Sequence, residues 1–466
     1  MRGFSHYIQV TVRRYVDPSI FRAYDARGVY PRQINERVAY ALGRAFSRMT
    51  GARRVLVGRD VRLSGPSLIR AVALGLEDEG SEVSTAGLVP TPTLYLGVVE
   101  GGFDAGVQVT ASHNPPEWNG FKFVLGNGET VSEGQGMERL KEIALSIGES
   151  DPPRRDPVPR PFDAKTLYLE KVRSLVRLKR RVRMVVDFSN GAGCEIGRRF
   201  FEEIGIDLIP MNDVPDGTFP AHLPEPTPET MKGLIEAVRE HGAEVGAGID
   251  GDADRAVFVD DRGRLLEGDV TLAFLVQNSD LRGKVVYDVS SSSIVEEVIR
   301  KRGCEPVICR VGRAFMLRKV REVSAVLGAE KSNHVYFSEL YGFDDGVFAV
   351  AKVAEALSKS ETKLSDFVDG LPKVYASTIH TVDVGTDDVK WRAMQLIAER
   401  MTSTYERVLT IDGVKAYLPE GWVLIRPSNT MPQIKYVAEA RTEESLNSYL
   451  RMAKTLIDEA VRSVRA

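Results

Sequence analysis

The sequence predicts a mixed α/β chain: three related α/β units followed by a smaller α+β unit. Three observations lead there. First, Met184-Val-Val186 runs into Asp187-Phe-Ser-Asn-Gly-Ala-Gly193, and Val285-Val-Tyr287 runs into Asp288-Val-Ser-Ser-Ser-Ser293. Each is a short apolar strand, a loop of small residues and then a helical stretch, an opening that Val55-Leu-Val57 repeats more loosely. Second, Asp151 to Pro161 holds five prolines in eleven residues and reads as a linker. Third, beyond Leu371 the order becomes strand, helix, several strands, helix, an α+β pattern. The expected divisions are an N-terminal extension (1–17), a first α/β unit (18–150), the linker (151–162), two further α/β units (163–268 and 269–370) and the α+β unit (371–466).

Composition narrows the function classes. The chain has 466 residues, 43% hydrophobic and 27% charged, which suits a globular protein of several domains. A net charge of -3 gives no basic footprint, so nucleic acid is not an expected partner. No run of about 18 apolar residues predicts a membrane span. Met1 to Tyr15 is basic but lacks an apolar core or a cleavage site, so it does not read as a secretory signal. Cys194, Cys304 and Cys309 show no paired metal spacing and read as free thiols of a cytoplasmic protein.

Along the first unit, Phe21-Arg-Ala-Tyr-Asp-Ala-Arg-Gly28 precedes a helix from Asn35 to Met49. Val55–Val57 is a strand, and Gly58-Arg-Asp-Val-Arg-Leu-Ser64 is the loop after it. Ser64 is expected to cap the next helix, with Pro66 in its first turn, Gly80 ending it, and Leu68, Ile69, Val72 and Leu76 as its apolar face. Gly106-Val-Gln-Val109 alternates as a strand and leads into Thr-Ala-Ser-His-Asn-Pro-Pro-Glu-Trp-Asn-Gly-Phe-Lys, residues 110–122. Pro115-Pro116 cannot continue a ladder, so Ser112, His113 and Asn114 fall on a loop past the strand's carboxyl end, where open α/β sheets hold ligands. A hydroxyl there becomes a nucleophile if something activates it. In the last unit, Ser377–Val384 alternates as a half-buried strand. Helices are expected at Asp387–Met401 and Glu443–Val464, with strands at Val408–Ile411, Trp422–Ile425 and Tyr436–Ala440.

Two later stretches answer the serine loop. Asp250-Gly-Asp-Ala-Asp-Arg255 follows a strand-like run and offers three carboxylates at alternate positions. Carboxylates so close repel one another and favour a bound cation, and oxygen ligands suit Mg²⁺ or Ca²⁺ rather than zinc. An EF-hand is excluded, because its sixth and twelfth positions would be Arg255 and Asp261. Arg426-Pro-Ser-Asn-Thr430 is a basic, hydroxylic loop of the kind that grips phosphate oxygens.

Together these motifs resemble the α-D-phosphohexomutase family, from about Pro18 to the C-terminus and in the family's order. The resemblance implies three α/β domains and a smaller α+β domain around a central cleft, each giving one loop. It implies a phosphoryl group on Ser112, with Mg²⁺ held by Asp250, Asp252, Asp254 and the phosphoserine. Lys122 is the acid/base candidate and His113 a second. Arg27 is expected to support the phosphoserine, Arg255 to neutralise phosphate charge, and Tyr24 to contact substrate. Gly328-Ala-Glu-Lys-Ser-Asn-His334 resembles the family's sugar loop through Glu330, Ser332 and His334. Asn333 replaces the usual glycine there but also tolerates a left-handed backbone. Arg426, Ser428, Asn429 and Thr430 would hold the phosphate that is not transferred, with Met431 where many members have glutamate. Arg310-Val-Gly-Arg313 matches a specificity segment only in part, and Ser290 stands where some bifunctional members have lysine. The implied reaction interconverts hexose 1- and 6-phosphates of mannose and/or glucose through the hexose 1,6-bisphosphate. The oligomeric state stays open.

Other chemistries are weaker. Gly191-Ala-Gly-Cys-Glu-Ile-Gly197 has its last glycine one residue too late for a dinucleotide fingerprint. Ser112 lacks the Gly-X-Ser-X-Gly elbow of many hydrolases, and a hydrogen bond from its sequence neighbour His113 reads as awkward. The rivals are a phosphoglucosamine mutase, a metal-dependent phosphatase using Ser112, and a sugar-phosphate sensor without turnover.

Overall fold

The computed structural model describes residues 15–148, 151–428 and 431–465. Three of its four sheets follow one plan. In the first, Arg54–Arg59 lies parallel between Glu82–Leu88 and Ala105–Val109. The chain then turns back through antiparallel Trp118–Leu125, and Ala26–Val29 closes that edge. In the second, Arg183–Asp187 lies parallel between Asp207–Met211 and Val245–Ile249, followed by antiparallel Ala256–Asp260 and Leu265–Leu266. The third repeats this with Lys284–Asp288 between Glu305–Cys309 and Leu327–Ala329, then Val335–Phe337 and Phe343–Asp344. In all three, the loop leaving the carboxyl end of the third parallel strand carries the singled-out residues: Ser112, then Asp250 to Arg255, then Glu330 to His334. One topological position, used three times, brings three loops to the same kind of place.

Shared cores set these sheets against one another. One continuous apolar cluster runs from Phe200 and Val245 in the second unit to Val285 and Val350 in the third. Another joins Leu56, Leu94 and Tyr95 of the first unit to Met316, Leu317 and Tyr336 of the third. Helix Thr91–Glu100 is buried from Thr91 to Val98 and lies within that junction. The last sheet is antiparallel and built on Gln433–Ala440 and Gly421–Pro427. Val423 and Ile425 on one face share a core with helices Asp387–Thr404 and Glu443–Arg465. Trp422 and Leu424, on the other face, pack on Val289 of the third unit.

Local expectations were met unevenly. Asn35 caps helix Glu36–Thr50, its side chain accepting from the Val38 amide at 3.1 Å. Ser64 precedes helix Gly65–Asp78 but makes no capping bond, because its backbone is helical rather than extended. Its hydroxyl accepts from Asn119 Nδ2 at 2.8 Å instead. The proline-rich span is fastened to the first unit: Arg160–Pro161 pairs with Glu82–Leu88, and Arg155 meets Glu77 and Asp78 at 2.5 and 2.6 Å. Only His380–Asp383 and Tyr375–Ala376 form strands near the stretch read as Ser377–Val384, and Val414–Leu418 is an additional strand. No helix among the described residues is long and apolar enough to cross a membrane.

A candidate active site where the loops meet

Ser112 is buried and held in the left-handed region, φ +51°, which is uncommon for a residue with a side chain. That turn overturns the expectation about its neighbour: Ser112 Oγ and His113 Nδ1 are 3.2 Å apart. Burial, with Arg255 and Arg27 nearby, pushes the His113 imidazole down to about 2, so it is neutral at neutral pH and a weak base. His113 Nε2 stands 3.9 Å from Glu225, beyond hydrogen-bond reach. Arg27 braces the loop by donating from Nη1 to Asn114 Oδ1 at 2.6 Å while its Nε holds Asp25 at 2.9 Å.

The acid loop presses directly on the serine loop. A Cβ on Gly251 would stand 2.6 Å from the Ser112 carbonyl oxygen, so only glycine permits the approach. Ser112 Oγ donates to Asp250 Oδ2 at 3.2 Å, and Arg255 Nε reaches that same oxygen at 3.2 Å. Lys122 Nζ donates to Asp252 at 2.7 Å and to Asp254 at 2.6 Å. Thr91, at the start of its buried helix, gives Asp252 Oδ2 a hydrogen bond from its hydroxyl at 2.5 Å. Burial and the neighbouring Asp254 and Asp252 push the Asp250 carboxyl up. Burial would raise Asp254 too, but Lys122 and the surrounding cations hold it well below the usual carboxylate range. Lys122 is correspondingly fixed as an ammonium: burial lowers its pKa, and Asp252 and Asp254 more than reverse this.

This cluster fits a divalent cation. The three carboxylates offer oxygens within 4.8 Å of one another. Asp252 Oδ1 and Asp254 Oδ1 are buried and have no hydrogen-bond partner, so two acceptors stand unused. Arg255 Nη2 is likewise a buried donor without a partner, complementary to an anion on the same side.

The third unit adds His334, with Nε2 3.6 Å from Asp254 Oδ1 and Nδ1 3.1 Å from Ser332 Oγ. Glu330 accepts from the Gly312 amide at 2.8 Å and from Tyr336 at 2.6 Å, and burial raises its carboxyl to about 7. Asn333 takes the left-handed backbone expected of it, φ +70°. Arg313 is buried, donating to Asp344 at 2.6 Å and lying 3.5 Å from Asp254. It therefore buttresses the acid loop in this structure. Tyr24 is half-buried: burial, Glu330 and Asp25 push its phenol up while Arg27 and Arg426 act against them. That one side chain feels charges from the first, third and last units.

In the last unit, Arg426 donates to Asp412 at 3.1 Å and faces Lys435 across the sheet. Both line a cavity of about 560 Å³, with Ser290, Lys331 and Ser332 of the third unit on its far wall. Ser428 is buried, and Asn429 and Thr430 lie outside the described residues. Lys390 donates to the carbonyls of Ser428 and Met431 at 3.0 and 3.1 Å. Sequence reasoning missed Thr91, Lys390 and Lys435; the cross-strand register of Arg426 with Lys435 was the only signal that could have found one of them.

Four sequence descriptions match the chain consecutively: phosphoglucomutase/phosphomannomutase α/β/α domains I (18–150), II (166–263) and III (267–375), and the C-terminal domain (350–455). The chain belongs to the phosphoglucomutase/phosphomannomutase family. A phosphomannomutase/phosphoglucomutase of Pseudomonas aeruginosa is 35% identical, over 92% of this chain and 93% of its own. A probable phosphoglucosamine mutase of Methanopyrus kandleri is also 35% identical, over 94% of this chain and 96% of its own. Among solved structures, a family protein of Burkholderia thailandensis superposes with a TM-score of 0.85 at 31% identity, covering 96% of this chain and 98% of that one.

Proposed function

We propose that the protein is a hexose phosphomutase that interconverts the 1- and 6-phosphates of mannose and/or glucose through a phosphoryl group carried on Ser112. Its family makes it an isomerase that acts on phosphorylated hexoses. One observation carries the assignment of the reaction to Ser112. Its hydroxyl lies 3.2 Å from Asp250, in a buried cluster holding two unused carboxylate oxygens and one unused guanidinium nitrogen. A phosphoserine with about -1.5 to -2 charges and a divalent cation would use all three.

In the proposed cycle the O6 hydroxyl of a hexose 1-phosphate attacks the phosphorus on Ser112. The bond to Oγ breaks and the O6 proton passes to the enzyme. The resulting 1,6-bisphosphate turns over in the cleft. Ser112 Oγ then attacks the phosphorus at O1, the O1–phosphorus bond breaks, O1 takes the proton back from the enzyme, and hexose 6-phosphate leaves. His113, neutral and touching Ser112 Oγ, is the group placed to accept a proton, and Lys122, held as an ammonium, is the group placed to give one. Arg255 balances phosphoryl charge. Glu330, Ser332 and His334 orient the sugar, Tyr24 contacts the substrate, Arg27 supports the phosphoserine, and Arg426 with Ser428, Asn429 and Thr430 grips the other phosphate. The cation is Mg²⁺ on Asp250, Asp252 and Asp254, where it would supply electrostatic stabilisation of the transferring group. The proposal includes the four-unit division given above, a cytoplasmic location and substrates limited to hexose phosphates.

The Methanopyrus relative, named a probable phosphoglucosamine mutase, keeps glucosamine 1-phosphate as a second reading of the substrate. Phosphorus NMR decides it. With Mg²⁺ and a trace of glucose 1,6-bisphosphate, mannose or glucose 1-phosphate should give the 6-phosphate signal faster than glucosamine 1-phosphate. Inorganic phosphate as the product would mean a phosphatase, and no change with any sugar would favour a sensor.

A further inference from the structure

The serine loop is wrapped around a single buried cation. Arg62, in the loop after strand Arg54–Arg59, is 0% exposed, and so is its partner Asp60. Its guanidinium uses all five N–H donors. Nε donates to Asp60 Oδ2 at 3.1 Å. Nη1 donates to the carbonyls of Pro115 and Trp118 at 2.6 and 2.9 Å, and Nη2 to those of Ser112 and Asn114 at 2.8 and 2.5 Å. Asp60 Oδ2 also accepts from Thr110 Oγ1 at 2.6 Å, and that hydroxyl oxygen accepts from the Ser112 amide at 2.8 Å. Both peptide groups of Ser112 are thus tied to one ion pair. From the second unit, the Phe219 ring lies against the guanidinium at 5.2 Å. A Cβ on Gly217 would meet the Val61 carbonyl at 2.4 Å, so the two units close tightly there.

We infer that Arg62 is a positioning residue for the phosphoryl-carrying serine, the template that fixes the loop from Thr110 to Trp118 and holds Ser112 in its left-handed turn. The inference rests on the phosphoserine reading above. Arg62 directs all of its donors to Asp60 and to backbone oxygens, which leaves none for a substrate. A loop that bends Pro115-Pro116 back towards its strand points carbonyls at a common centre, and a planar fork satisfies four of them at once. A lysine ammonium has three donors on a point charge and cannot reproduce that pattern. Without the fork, buried carbonyls lose their partners and Ser112 relaxes from the uncommon backbone it occupies.

The test is Arg62→Lys, with Ser112 phosphorylation by glucose 1,6-bisphosphate followed by quenched-flow mass spectrometry beside steady-state kinetics. Small misplacement of a reacting group costs on the order of 10²-fold. Phosphorylation of Ser112 and kcat should both fall by about that factor, while KM for the hexose 1-phosphate changes little. Thr110→Val, which breaks only the link from Asp60 to the Ser112 amide, should lower both rates with KM unchanged, and Thr110→Ser should restore them. The Thr110 pair decides the matter if Arg62→Lys does not fold. Wild-type rates in a folded Arg62→Lys, or in Thr110→Val, overturn the inference. A wild-type enzyme that takes no phosphoryl group on Ser112 refutes the phosphoserine reading itself, and this inference with it.

Discussion

The junction of the serine and acid loops and the edge of the last sheet treat charge in opposite ways. At the junction, Lys122 lies between Asp252 and Asp254, Arg255 on Asp250, Arg313 on Asp344 and Arg62 on Asp60. At the sheet edge, Arg426 and Lys435 occupy directly opposed positions on neighbouring strands, and Asp412 is the carboxylate that meets Arg426. Burial and Arg426 together depress the Lys435 ammonium. Like charges facing each other across a sheet are unfavourable until an anion joins them. In the proposed function the first region is preorganised for a charge that develops during reaction, and the second would be neutralised by the arrival of a phosphate dianion.

The largest break in this contrast should come from Ser112→Ala. Turnover should fall on the order of 10³-fold or more, whereas hexose 1-phosphate binding, measured calorimetrically, should change little. Next comes Asp252→Asn, which leaves Thr91 and Lys122 facing a neutral amide. Half-saturation by Mg²⁺ should rise about 10- to 100-fold with a parallel loss of kcat, and an unchanged metal titration would remove Asp252 from the site. The smaller effects belong to the sheet edge. Arg426→Ala should raise KM about 10- to 100-fold, as expected for losing a charge-assisted hydrogen bond, with less change in kcat. Lys435→Met should weaken binding less, and it should raise the melting temperature of the ligand-free protein by relieving its repulsion with Arg426. A fall in that temperature would mean Lys435 is structurally paired.

Much of this was legible from the sequence because the residues proposed to react lie in short contiguous stretches. Ser112 to Lys122 and Asp250 to Arg255 each follow a run that reads as a strand, so composition and position point the same way, while Glu330 to His334 was legible only through its resemblance to the family's sugar loop. What supports them was not legible. Arg62 and Thr91 meet partners 50 and 161 residues away, and an isolated arginine in a loop or threonine at a helix start carries no periodicity. Val414–Leu418 escaped notice as a strand because Lys415 occupies an inward position. Lys415 is 2% exposed, donates to the Val289 carbonyl at 2.8 Å and lies over Trp422, so tertiary contacts override the polar pattern. The Ser112–His113 contact depends on the backbone turn at Ser112, which residue types alone do not reveal.

The most direct measurement is a pulse-chase at Ser112. The enzyme is phosphorylated with radiolabelled glucose 1,6-bisphosphate, freed of ligand, and mixed with unlabelled mannose 1-phosphate and Mg²⁺. The account predicts label on the Ser112 peptide that passes to hexose bisphosphate and then to hexose 6-phosphate at the catalytic rate, and none on Ser112→Ala. Label appearing as inorganic phosphate, or turnover that proceeds without ever labelling Ser112, would contradict it.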